Sequence, residues 1–168
     1  MANQSKLPYL LAAFTALAAS GLTSACQQPV VPSDADLTKT YMDNRAEYGR
    51  VAEQLMAEGN QKFSVARRRA VSYQGDAKPP VKDATIVACQ QMMGRTFCLE
   101  MRRVGGTAYF IYYENQGPDF FRRKSVVYDK DNFQDPVWTP KTSDTSNLRY
   151  VPIDPNWRIE YKYDKRSP

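Results

Sequence analysis

The side chains best suited to chemistry in this chain are its three cysteines, because its 168 residues include no histidine. Without an imidazole, the Ser-His-Asp triad, a Cys-His nucleophilic pair and histidine-ligated zinc sites are excluded. Carboxylate chemistry stays open, but the acids nearest the predicted strands, Glu100, Asp119 and Asp129, show no spacing that singles them out. The composition therefore favours a protein that is not an enzyme and that carries no metal or cofactor.

Cys26 stands where an apolar leader gives way to a polar, proline-rich segment. Residues 1–25 have a short polar start with one lysine and no acid, then the apolar run LPYLLAAFTALAASGL, then the small residues TSA. This layout is typical of a secretory signal peptide, and the run is shorter than the roughly 20 residues of a membrane span. Residues 1–25 are therefore predicted to be a signal peptide, and residues 26–35 a flexible polar tether.

The residues LTSAC, which end at Cys26, resemble the lipobox of bacterial lipoproteins, in which a cysteine follows small residues and becomes the acylated first residue. Thr23 departs from this pattern, since leucine is more common there. The resemblance implies acyl chains on Cys26 that anchor the protein in a membrane. Gln27 implies the outer membrane, with the domain facing the periplasm. The alternatives are cleavage after Ala25, which gives a soluble secreted or periplasmic protein, and an uncleaved leader.

If Cys26 is acylated, Cys89 and Cys98 remain as an even pair in an oxidising compartment. A two-residue turn at Met93-Gly94 would place these two residues opposite each other on a hairpin, with Cα atoms about 4.5 Å apart. A disulfide bond accepts that separation. The sequence therefore predicts a Cys89–Cys98 disulfide; a redox or metal-binding role is the alternative.

The mature chain is predicted to be a single α+β domain over residues 36–168. Ser33 and Asp36 form a capping-box pattern, and an apolar stripe at helical spacing predicts one helix over residues 36–58. From Phe63 the apolar period becomes two, which predicts an antiparallel meander over residues 63–128.

The strongest turn signal within the meander is Gly105-Gly106. Residues 129–156 contain four prolines and many turn-forming residues, which predicts a long loop. Strict alternation then predicts a last strand over residues 157–164 that rejoins the sheet late or at its edge. The helix is expected to pack on a twisted sheet of five to six strands.

Basic residues cluster at three places on the predicted strands, and two aromatic residues lie in the predicted loop. If the basic side chains converge, they form a surface for an anion or an acidic partner, because guanidinium groups match phosphate and carboxylate. The alternative is a solvated sheet face. Exposed aromatics would mark a protein-binding patch, whereas buried ones would cap the core. The candidates are Arg67, Arg69, Arg102, Arg122, Arg123, Lys124, Trp138 and Tyr150.

These features favour a non-catalytic cell-envelope lipoprotein that binds or scaffolds a periplasmic protein, as an accessory of a secretion, conjugation or surface-assembly system. A periplasmic inhibitor or immunity lipoprotein against a cell-wall lytic enzyme is the alternative, and an enzyme with catalytic carboxylates is the third interpretation. The expected partners are the membrane, through the lipid, and an envelope protein. Nucleic acid and a small-molecule substrate are not expected.

Overall fold

The computed structural model describes residues 30–67, 69–73, 80–131 and 146–165, which contain three helices and a seven-stranded antiparallel sheet. The elements are α1 Asp34–Asp43, α2 Arg45–Ala57, β1 Lys62–Ala66, β2 Arg69–Tyr73, α3 Asp83–Thr96, β3 Glu100–Val104, β4 Thr107–Gln116, β5 Phe120–Asp129, β6 Ser146–Asp154 and β7 Trp157–Lys165. The strand order is β2-β1-β3-β4-β5-β7-β6. The predicted α+β class is confirmed, but the predicted number of strands is too low.

The predicted N-terminal helix is two helices, α1 and α2, that meet at Asn44. The backbone of Asn44 is not helical, with φ −126° and ψ 21°, and its side-chain amide donates to the carbonyl of Thr40 at 2.9 Å. The capping box is confirmed, since the Ser33 hydroxyl accepts from the amide of Asp36 at 3.0 Å. The predicted apolar stripe is buried, as the prediction requires: Leu37, Tyr41, Tyr48, Val51, Ala52 and Leu55.

Helix α3 replaces the strands and the Met93-Gly94 hairpin that the sequence predicted. Its buried side chains recur at helical rather than alternating spacing: Thr85, Ala88, Cys89, Met92, Met93 and Thr96. The N-terminus of α3 is capped from α2, because the Glu58 carboxylate accepts from the Lys82 amide at 3.3 Å and from the Thr85 hydroxyl. A carboxylate is favourable at a helix N-terminus. No local N-cap residue marks this helix in the sequence.

The predicted disulfide lacks the hairpin on which it depended. Cys89 lies on α3, Cys98 follows the helix, and both are buried free thiols. Burial raises the pKa of Cys89 to about 12, and burial also raises the pKa of Cys98. The Cys98 thiol lies 3.2 Å from the carbonyl oxygen of Glu100 and 3.3 Å from that of Ile111. Both thiols are therefore protonated core side chains at neutral pH.

The first half of the sheet agrees with the predicted turns in part. The hairpin at Gly105-Gly106 is confirmed, with Met101 opposite Phe110 and Gly105 at a φ of 61°. Leu99 immediately precedes β3 and is 45% exposed. The predicted meander begins with the β1–β2 hairpin, in which the chain reverses after Ala66.

The second half of the sheet contains a strand that the sequence did not predict. β6 lies within the predicted loop 129–156, and it pairs with β7 along its whole length. Strand β7 is therefore interior, between β5 and β6, rather than at the edge. Pro152 is compatible with β6 because the outer side of an edge strand needs no ladder hydrogen bond.

An aromatic cluster joins the helices to the sheet. Trp157 of β7 lies at its centre, with ring centroids 5.0 Å from Tyr41, 5.6 Å from Tyr48 and 5.6 Å from Phe110. The residues of β3, β4, β5 and β7 that share this face pack against the helices. The helices therefore cover one face of the sheet.

Candidate functional site

The predicted basic residues do not converge on one anion site, because neighbouring residues on a strand point to opposite faces. On β3, Arg102 pairs with Glu100 at 2.8 Å and with Glu114 at 3.6 Å, on the face away from the helices. Arg103 points to the helix face and is 8% exposed. The charge of Arg102 is already neutralised within the domain, so it is a poor candidate for an external anion.

Arg103 serves as a cap for the C-terminal end of α2. Its Nη1 donates to the carbonyl oxygens of Leu55 at 3.0 Å, Glu58 at 2.5 Å and Asn60 at 3.2 Å. Its Nε donates to the carbonyl oxygen of Gly105 at 3.0 Å, which ties the helix to the β3–β4 turn. The last carbonyls of a helix lack intrahelical partners, and a cation there is favourable. The role of Arg103 is therefore structural.

The basic residues of β5, which are Arg122, Arg123 and Lys124, also point alternately to opposite faces of the sheet. Arg123 pairs with the buried Glu160 at 2.8 Å, and its guanidinium lies 4.7 Å from the ring centre of Tyr109. Arg122 is exposed and stacks on Phe120, 5.0 Å from its ring centre. Only Arg122 of these residues is available to an external anion.

We call the side of the sheet away from the helices the tyrosine face, defined by Tyr109, Tyr150, Arg123, Arg158 and Glu160. The Arg158 guanidinium lies 3.8 Å from the ring centre of Tyr150, and it approaches Glu160 to 3.7 Å. Burial raises the pKa of Tyr150 to about 12 and also raises the pKa of Tyr109. Both phenols are therefore neutral hydrogen-bond donors on a face where each is partly exposed.

A second assembly, the anchor junction, consists of Pro32, Asp34, Lys124 and Arg149. The Lys124 ammonium donates to the carbonyl oxygen of Pro32 at 2.6 Å and pairs with Asp34 at 2.6 Å, and its side chain is 8% exposed. Arg149 of β6 pairs with the other carboxylate oxygen of Asp34 at 2.8 Å. These contacts fix the start of α1 on β5 and β6.

A cleft of about 280 Å³ opens beside the anchor junction. Its lining is partly apolar and contains the ion pairs just described: Val31, Asp34, Lys124, Arg149, Val151, Ile159 and Tyr161. Asp34 is the acid in this cleft, and two cations hold both of its oxygens. The cleft therefore offers no unpaired carboxylate for acid–base chemistry.

The loop between α3 and β3 has features that no sequence pattern predicted. Phe97 caps α3 in the left-handed conformation, with φ 60° and ψ 13°, and its side chain is 73% exposed. A bulky residue is strained in this conformation, and strain of this kind concentrates at functional sites. Leu99, two residues later, is also exposed. The peptide amide of Arg67 donates to the carbonyl oxygen of Leu99 at 3.1 Å, which places Arg67 beside this loop.

The remaining predicted residues have separate positions. Arg69 begins β2. Tyr150 lies on β6 rather than in a loop, as part of the tyrosine face. Cys26 and Trp138 lie outside the described residues, so acylation and the aromatic role of Trp138 stay predictions.

Comparison of the chain with protein-family models, with curated proteins and with solved structures finds no match. Among the described residues, no helix has the length and apolar character needed to cross a membrane. The same residues contain no group of three or more acidic or cysteine side chains placed to hold a metal ion. The features that bear on function are therefore the leader sequence, the tyrosine face and the anchor junction.

Proposed function

We propose that this protein is a lipid-anchored, non-catalytic component of the bacterial cell envelope, held at the periplasmic side of the outer membrane, where it binds or scaffolds a partner protein. The anchor junction carries the proposal. Val30 is only four residues after Cys26, and the buried Lys124 fixes the following residues on the sheet.

The energetics of Lys124 support this interpretation of the junction. A buried ammonium group is unfavourable unless it is paired and hydrogen-bonded, and Lys124 has both kinds of partner in the segment that follows the leader. Arg149 adds a second cation to Asp34. These contacts would hold the sheet close to an acylated Cys26. A flexible tail would not need such contacts.

The acids of the domain support a non-catalytic role. Glu160 lies between Arg123 and Arg158, and Glu58 caps α3. Asp154 pairs with Arg45 at 2.5 Å. These carboxylates are engaged in holding elements together, so they are poorly placed to exchange protons with a substrate.

The tyrosine face is the surface that we assign to the partner protein. Tyrosine and arginine are enriched among residues that dominate binding energy at protein interfaces. Tyr109 and Tyr150 offer partly exposed rings beside the ion pairs of Glu160, which hold the surrounding arginines in place. A surface that is already ordered loses less conformational entropy on binding.

The anchor is tested by fractionation of native cells and mass spectrometry, with wild type compared with Cys26→Ser. Wild type is expected in the outer-membrane fraction, with an N-terminus at residue 26 and added acyl mass. Cys26→Ser is expected to lose the acyl mass and to leave that fraction. A wild-type protein that starts at residue 26 without acyl mass, or that is recovered in the soluble fraction, would overturn the lipoprotein assignment.

The partner surface is tested by affinity purification in mild detergent followed by quantitative mass spectrometry. Tyr109→Ser is expected to reduce the recovery of a discrete envelope protein at least severalfold. Tyr161→Ser, which alters a tyrosine in the cleft of the anchor junction, is the matched control and should retain that protein. Equal recovery with both variants would exclude the tyrosine face as the partner surface.

A further inference from the structure

Phe97 and Leu99 form an exposed apolar pair that the stability of the domain does not explain. Phe97 is 73% exposed and strained, and Leu99 is 45% exposed, while Cys98 between them is fully buried. The buried Cys98 fixes the loop, so the two flanking side chains are presented outwards by a rigid support. Two exposed apolar side chains beside a strained backbone position favour a contact surface over a purely structural loop.

This apolar pair lies at the same end of the sheet as the anchor junction. The amide of Leu99 donates to the carbonyl oxygen of Ile111 on β4 at 2.8 Å. Lys124, the centre of the anchor junction, is paired with Tyr113 on the same strand. The two features therefore lie at similar levels along β4, on opposite sides of that strand. We call this end of the sheet, where β3 begins and β4 ends, the junction end.

The length of the chain between the leader and the domain limits how far the junction end lies from an acylated Cys26. Val30 is four residues after Cys26, so even a fully extended chain between them spans only about 14 Å. The polar region of one bilayer leaflet is itself roughly 5–8 Å thick. An acylated Cys26 therefore keeps Val30 and the anchor junction close to the headgroups rather than free in the periplasm.

The charges at this end match an anionic lipid surface. Arg67 and Arg122 are exposed, and neither has a carboxylate partner among the described residues. Val30 and Val31 are exposed as well, at 90% and 41%. Apolar side chains surrounded by arginine are the combination that binds at the headgroup boundary, where basic groups attract anionic lipids.

We propose that the junction end docks on the phospholipid surface, with Phe97 and Leu99 inserted at the headgroup boundary and Arg67 and Arg122 at anionic headgroups. This inference rests on the proposed function, since the distance limit requires an acylated Cys26. The proposed partner of the junction end is the same membrane that holds the acyl chains of Cys26. Docking would fix the orientation of the domain on the membrane and leave the tyrosine face accessible from the periplasm.

The test measures depth in a membrane at the two ends of β3. The acylated full-length protein is labelled with a fluorophore at Leu99→Cys, and Val104→Cys is the matched control at the opposite end of the strand. Val104 is 38% exposed, which is close to the exposure of Leu99. Cys89 and Cys98 are buried, so they do not compete for the label. The vesicles contain phosphatidylethanolamine and phosphatidylglycerol with brominated acyl chains, which quench nearby fluorophores.

The expected result is quenching at position 99 several times stronger than at position 104. Phe97→Asp, a residue type that tolerates the left-handed conformation, should weaken quenching at position 99 while the protein still floats with the vesicles. Floating protein with equal quenching at both positions would overturn the docking inference and leave the anchor intact. If a partner protein added to the assay, rather than lipid, shields the label at position 99, this end of the sheet would be assigned to that protein. Protein that does not float would remove the anchor and the inference together.

Discussion

Arg102 and Arg103 are adjacent arginines whose replacement should have very different effects on stability. Replacing Arg103 by methionine keeps most of the apolar stem and removes the guanidinium. The carbonyl oxygens that it serves, at Leu55, Glu58, Asn60 and Gly105, then lose a charged donor. Replacing Arg102 by methionine removes ion pairs that are only partly buried.

The contacts of Arg103 set the size of the expected loss. A net hydrogen bond from a charged group contributes about 1.5–3 kcal/mol, and a buried acceptor left without a donor costs a further 1–3 kcal/mol. Since water reaches some of the freed carbonyls, we expect a loss of about 3–5 kcal/mol for Arg103→Met. Domains are stable by only about 5–15 kcal/mol, so this loss is a large fraction of the total. Partly exposed ion pairs contribute about 0–1 kcal/mol, which sets the expectation for Arg102→Met.

Urea unfolding followed by far-ultraviolet circular dichroism measures both variants. We expect the midpoint for Arg103→Met to fall far below that of wild type with an unchanged slope, and the midpoint for Arg102→Met to stay close to wild type. Arg103→Lys should be intermediate, because one ammonium group cannot reach all four carbonyls. Similar losses for the Arg102 and Arg103 methionine variants would refute the conclusion that Arg103 is the cap of α2.

Three further predictions concern the loop, the thiols and the junction. Phe97→Gly should raise the free energy of unfolding by roughly 0.5–1 kcal/mol, because glycine accepts the left-handed conformation and little burial is lost; an unchanged urea midpoint would contradict this. Cys89 and Cys98 should react with a thiol reagent only after unfolding, as a colorimetric assay in urea would show. Because the unfolded thiols ionise near pH 8.5 while burial raises the pKa of both in the fold, stability should decline above about pH 9. Lys124→Met should cost about 1–3 kcal/mol and speed amide exchange in residues 31–34; unaltered exchange would count against the anchor junction.

Part of the candidate site could be predicted from the sequence. The basic clusters were visible, and Arg67 and Arg122 remain candidates for an anionic surface. Sequence alone could not show that Arg122 is exposed while Lys124 is buried. The difference arises because the start of α1 packs against Lys124. Phe97 carried no signal, because its exposure and its left-handed backbone arise only where α3 meets β3.

The sequence by itself determined the features that depend on neighbouring residues. The capping box at Ser33, the turn at Gly105-Gly106 and the alternation that begins at Trp157 each follow from local hydrogen bonding or from the side-chain period of a strand. The apolar stripe of α1 and α2 is local in the same sense. These local signals were predicted correctly, whereas the equally local turn signal at Met93-Gly94 was wrong, because that segment is part of α3.

Tertiary structure decided the features whose partners are distant in the chain. Helix α3 depends on a cap from Glu58, and β6 forms because β7 offers it an edge. Lys124 and Arg103 are buried because carbonyl oxygens distant in the chain accept hydrogen bonds from them. A single sequence shows neither those partners nor the strand order that brings them together. The physical reason is that a short apolar run fits a helix or a strand equally well, and packing against the rest of the domain selects between them.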